Sequence, residues 1–139
     1  MYEQTLSNPA HLPASATSLP TPLRPAREVW GYVQSRPEPQ LAIASFGKRD
    51  VSYDLGMPKP LSWRRPALHN CTQMFDGTVT VRALNDQHAY IQLPVDHVLE
   101  VGDRIGVGIS HSCTTFDKWQ LLYLVDDEYN VTGGIHTFF

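Results

Sequence analysis

Apolar positions in this chain fall in short alternating runs, not in the i, i+3, i+4 spacing of an amphipathic helix. Glu28 to Ser35 carries Val29, Trp30, Tyr32 and Val33 and stops at Arg36-Pro37-Glu38-Pro39. Leu41 to Phe46 stops at Gly47, and Val51 to Leu55 stops at Gly56. Gly77 to Leu84 alternates valine with threonine, and Ala89 to Leu93 runs into Pro94. Arg104 to Ile109 is apolar at every second residue, and Leu121 to Val125 and Val131 to Phe138 flank Asp126-Asp127-Glu128-Tyr129-Asn130. β-Branched and aromatic runs bounded by Gly, Pro, Asn and Asp read as strands. No stretch after residue 30 holds a 3.6-residue period over ten residues. Closely spaced strands of this kind predict an all-β fold, an antiparallel barrel or sandwich.

The first 26 residues have neither period. Ser7 to Pro22 is rich in Pro, Ser, Ala and Thr, and prolines fix φ and remove backbone donors. Residues 1–26 therefore read as an irregular arm, a linker or the remnant of something larger, ahead of one β-domain over 27–139. At 139 residues the chain has room for one domain of ordinary size.

Charge and composition remove several classes of function. A net charge of -3 and a pI near 6.0, with no run of Lys or Arg, give no electrostatic case for nucleic acid. No segment reaches the roughly twenty apolar residues of a membrane helix. The N-terminus lacks the basic and apolar regions of a signal peptide. Two cysteines, Cys71 and Cys113, are too few for a secreted disulfide scaffold, although a bridge between them stays open. Together these point to a cytoplasmic protein.

Candidate chemistry concentrates in Gly108-Ile109-Ser110-His111-Ser112-Cys113-Thr114-Thr115-Phe116-Asp117-Lys118-Trp119. If the segment is a strand, His111 and Cys113 share a face, roughly 7 Å apart along it. Imidazole nitrogen and thiolate sulfur bind zinc at about 2.0 and 2.3 Å, so one ion would bridge them with modest convergence. Such soft and borderline donors favour zinc over magnesium or calcium. A free cysteine beside a hydrogen-bonded histidine fits the same spacing. Gly106 and Gly108 leave room beside this segment for a ligand, another backbone, or a bend at a barrel corner.

Several separated motifs then resemble one family. Leu84-Asn85-Asp86-Gln87-His88-Ala89, Val101-Gly102-Asp103-Arg104, His111 to Trp119 and the ending Thr137-Phe138-Phe139 resemble the C-terminal part of bacterial amino acid deaminases of the D-serine deaminase type. These are related to D-serine dehydratases and D-threonine aldolases. Arg36-Pro37-Glu38-Pro39 and Gly47-Lys48-Arg49-Asp50 extend the resemblance over about residues 23–139. It implies a β-domain like that of alanine racemase, following a barrel that holds pyridoxal phosphate. It also implies zinc at His111 and Cys113, assisting departure of the β-hydroxyl of D-serine or D-threonine. The products would be an α-keto acid and ammonia.

His88 falls on the histidine of a Glu-His-Gly type motif, here Asp86-Gln87-His88-Ala89, and is a candidate to act in catalysis, orient a zinc ligand or sit near the cofactor, or is a structural histidine inside the barrel. Asp86 and Asp117 are candidates to support a metal-binding histidine. His69 and Cys71 repeat the i, i+2 spacing but match no motif of the family. His97 reads as a surface-loop residue and His136 as a strand residue. Lys48 is not the Schiff-base lysine, because the family's lysine lies in the barrel.

The chain is thus expected to be a C-terminal fragment, inactive alone, and paired with a pyridoxal phosphate barrel in cis or in trans, or with a second copy as a homodimer. The other readings are a non-catalytic stand-alone β-domain and an aldolase-type retro-aldol lyase. Trp30, Tyr32, Trp63, Phe116 and Trp119 are candidates for the apolar face that such a partner would cover.

Overall fold

The computed structural model describes residues 26–66 and 71–138. The arm read over 1–26 and the His69 position lie outside these residues, apart from Ala26.

Nine strands and one short helix make up the described residues. They are β1 (Glu28–Glu38), β2 (Leu41–Ala44), β3 (Lys59–Arg64), β4 (Thr72–Met74), β5 (Thr80–Leu84), β6 (Ala89–Gln92), β7 (Arg104–Gly108), α1 (Cys113–Phe116), β8 (Leu121–Val125) and β9 (Val131–His136). Seven strands form one sheet in the order β4-β3-β7-β1-β2-β6-β5, and every neighbouring pair is antiparallel. β8 and β9 form a separate antiparallel hairpin. The all-β expectation therefore holds.

The sheet curls until β3 meets β5. A single cluster lies inside, including Val33, Phe46, Ile91, Leu99, Ile105 and Val107. In β1, Val29, Gly31 and Val33 are buried, every second residue as a strand with one face in the core requires. β7 lies between β1 and β3, and Ile105 to Gly108 are buried without alternation. Just before β7, the buried Asp103 accepts hydrogen bonds from Arg65 Nε (2.9 Å), Arg65 Nη2 (3.0 Å) and the Glu100 backbone (2.8 Å). Those donors meet the requirement that a buried carboxylate be paired and hydrogen-bonded.

Four local expectations change. Val51 to Leu55 is not a strand. The Val51 N–H goes to Gly47 O (3.1 Å) and the Ser52 N–H to Thr115 Oγ1 (3.2 Å), so these donors serve a turn and a side chain instead of a ladder. β3 went unread because Pro58 and Pro60 flank its start, and proline demotes a strand reading. The register shift between Pro60 and Ser62 accommodates the missing donor. β1 likewise runs past Arg36-Pro37, with a shift between Ser35 and Glu38. Finally, the glycines of β7 make room for side chains. A Cβ at Gly106 would stand 2.6 Å from the Trp30 ring, and one at Gly108 would stand 3.1 Å from Leu61 Cδ1.

Candidate metal centre

His111 and Cys113 do not continue β7. The strand ends at Gly108, His111 lies in the following bend, and Cys113 opens α1. The shared strand face expected from the sequence is therefore absent. The reason lies in the hydroxyl-rich run Ser112, Thr114 and Thr115. Such side chains bond nearby backbone and compete with a ladder. Thr114 Oγ1 donates to His111 O (3.2 Å), and the Thr115 and Phe116 N–H groups both return to Ser112 O (3.1 Å each).

The loop linking β2 to β3, residues 45–58, holds this segment in place. The His111 N–H donates to Ser52 Oγ (3.0 Å), and Ser110 Oγ donates to Gly56 O (3.0 Å). Trp119 Nε1 donates to Asp50 O (2.8 Å). Arg27 donates to Ser112 O (2.7 Å) and stacks 3.4 Å from the centre of the Phe116 ring.

The ring of His111 meets Asp54. Nδ1 lies 2.6 Å from Asp54 Oδ2, while Thr114 Oγ1 lies 3.4 Å from Oδ1. The hydrogen bond from His111 holds the Asp54 carboxyl below its ordinary value. Asp54, and neither Asp86 nor Asp117, is the carboxylate that meets the His111 ring. Its distance along the chain hid it, since no spacing rule links residue 54 to residue 111. Asp117 caps the end of α1. Asp86 turns to the 45–58 loop, where its carbonyl accepts the Arg49 N–H (3.0 Å).

With Nδ1 engaged by Asp54, Nε2 is the nitrogen left for a metal. Cys113 is an exposed free thiol. Among the described residues no group of three or more His, Cys, Asp or Glu converges, so a zinc held by this donor pair would need further ligands from water or from elsewhere. Cys71 is likewise free and exposed, so the Cys71–Cys113 bridge does not form.

His88 sits elsewhere in the same loop system. It is half-buried in a shallow cleft with Lys48, Asn85, Asp86 and Gln87. Its carbonyl closes the β5–β6 turn by accepting the Asn85 N–H (2.8 Å). His97 is more than a surface-loop residue. Its ring packs 5.7 Å from Phe75 and 6.3 Å from Trp63, and its Nδ1 accepts the Leu99 N–H (3.1 Å). Burial, reinforced by the charge of Arg36, pushes the His97 imidazole below its ordinary value. His136 ends β9 and is exposed.

Residues 26–125 match the family model described as "Putative serine dehydratase domain". The chain belongs to this family. The fold is also similar to a crystal structure of D-threonine aldolase from Filomicrobium marinum, with a TM-score of 0.61 at 22% identity. That similarity covers 77% of this chain and 26% of the aldolase, so the chain spans about a quarter of that protein. No curated protein sequence matches the chain. Among the described residues no helix is long and apolar enough to cross a membrane.

Of the five aromatics expected on a partner face, Trp63 is in the core. Tyr32 and Trp119 are exposed, and Trp30 and Phe116 are half-buried. The hairpin adds exposed apolar residues that the sequence reading assigned no such role, among them Tyr123, Val131, Ile135 and Phe138.

Proposed function

We propose that this chain is the C-terminal β-domain, residues 27–139, of a pyridoxal phosphate- and zinc-dependent deaminase. The enzyme converts D-serine or D-threonine to an α-keto acid and ammonia. The observation that carries the reading is the His111–Asp54 pair, with the free Cys113 thiol two residues on in the chain, in a member of the serine dehydratase domain family. His111 Nε2 and Cys113 Sγ are the atoms that would hold the zinc. When bound, zinc supplies a Lewis acid for the negative charge that develops on a departing β-hydroxyl oxygen. The pyridoxal phosphate and its lysine belong to a barrel domain, in cis or in trans. The exposed apolar residues of the hairpin support a partner that covers them. The setting is cytoplasmic.

An aldolase-type retro-aldol lyase is the second reading. It draws on the D-threonine aldolase likeness, which speaks to fold. Products separate the two. The barrel-bearing protein given D-threonine should release 2-oxobutyrate and ammonia; glycine and acetaldehyde instead would move the assignment to the aldolase. The chain alone with pyridoxal phosphate should give no pyruvate from D-serine, and steady turnover would end the domain reading. Zinc content after dialysis should fall to background in Cys113→Ala and stay unchanged in Cys71→Ala. The reverse pattern would mean that the wrong thiol has been chosen.

A further inference from the structure

We propose that Asp54 is the positioning residue of the metal centre: its carboxylate fixes the proton of His111 on Nδ1 and turns Nε2 toward the ion. The inference rests on reading His111 and Cys113 as the zinc pair, and it adds a residue with no place in the His-x-Cys motif. A carboxylate only accepts, so at 2.6 Å from Nδ1 it requires the ring proton there and leaves the lone pair on Nε2. Free neutral imidazole side chains favour the opposite tautomer, with the proton on the nitrogen that the metal needs.

The surroundings hold both members of the pair. The His111 backbone is tied to Ser52 Oγ, and the Ser52 N–H is tied in turn to Thr115 Oγ1. Ser110 Oγ reaches Gly56 O, two residues beyond Asp54. Thr114 Oγ1 lies 3.4 Å from the second carboxylate oxygen and shares its single proton between that oxygen and His111 O. The 45–58 loop therefore carries the carboxylate to the ring and the ring to a set direction. Outer carboxylates of this kind orient a metal histidine, and their loss typically weakens metal binding by about 10–100-fold.

The test uses the full chain labelled with nitrogen-15, at a pH above the titration of imidazole. The side-chain nitrogen shifts of His111 should show the proton on Nδ1. In Asp54→Ala they should move to a mixture or to the Nε2–H form. Zinc affinity, measured by competition with a chromophoric chelator, should fall tenfold or more in Asp54→Ala. It should recover in part in Asp54→Asn, whose amide oxygen accepts the same proton. A wild-type proton on Nε2, or tautomer and affinity both unchanged in Asp54→Ala, overturns the role. If His111→Ala and Cys113→Ala leave zinc affinity unchanged, the zinc reading itself fails, and the nitrogen shifts still decide what Asp54 does to the ring.

Discussion

The seven-stranded sheet and the β8–β9 hairpin are both antiparallel ladders, yet they bury their side chains to very different degrees. Within the sheet, Val33, Ile91, Ile105 and Val107 are shut from water. No residue of β8 or β9 is buried, and Tyr123 and Val131 are 67% and 62% exposed. The hairpin is attached at its turn. Tyr129, at φ 66°, donates its hydroxyl to Glu28 Oε2 (2.9 Å) and meets Trp30 edge to face at 5.1 Å. Arg64 stacks 4.5 Å from the same ring and donates to Glu128 O (3.1 Å). Burial and the Glu28 carboxylate push the Tyr129 hydroxyl up. Strand-forming sequence thus specifies local pairing in both regions, whereas burial depends on whether another layer is present to receive it.

This contrast predicts a graded series of effects. Phe46→Ala empties the sheet's core and should cost about 4 kcal/mol, read from the midpoint of urea unfolding. A loss under ~1 kcal/mol would show that the sheet is no better packed than the hairpin. Tyr129→Phe removes one hydrogen bond to a charged partner and should cost about 1.5 kcal/mol. The loss should show as faster amide exchange in β8 and β9 before β7 responds; equal changes in both would make the two regions one cooperative unit.

Acid should act on the sheet through His97. Its folded-state value lies below the ordinary 6.5, so the neutral ring is favoured in the fold. That stability is full above 6.5 and is lost as pH falls through the lower folded value. The melting temperature should drop over this range, less steeply in His97→Gln, and identical slopes would remove His97 from the account. The smallest effect belongs to Ile135→Ala on the hairpin face, within about 0.5 kcal/mol. A cost near that of Phe46→Ala would mean that the isolated chain covers this face.

The sequence carried the strands that alternate and the turns that end them, and β8 begins and ends where its pattern does. It did not carry β3, because Pro60 obeys a rule that the bulge beside it relaxes. His111 and Cys113 were legible as a pair of donors. Their backbone was not, since the segment that its own hydroxyls turn into a bend and helix is held by partners some sixty residues away, Ser52 with Thr115 among them. Asp54 was illegible for the same reason. Gly106 suggested an open space, and the ring of Trp30, on the neighbouring strand, occupies it.

The strand order has a consequence for how the domain comes into being. β1, β2, β6 and β5 can pair among themselves as they leave the ribosome, and β3 with β4, but β7 alone joins the two groups. The residues that end at Gly108 must therefore be synthesised before β1 and β3 share a sheet. Pairings this distant in sequence form slowly and leave apolar edges open in the interval. The bend that carries His111 follows directly behind this keystone strand, so its residues are synthesised only after every strand of the seven-stranded sheet is complete.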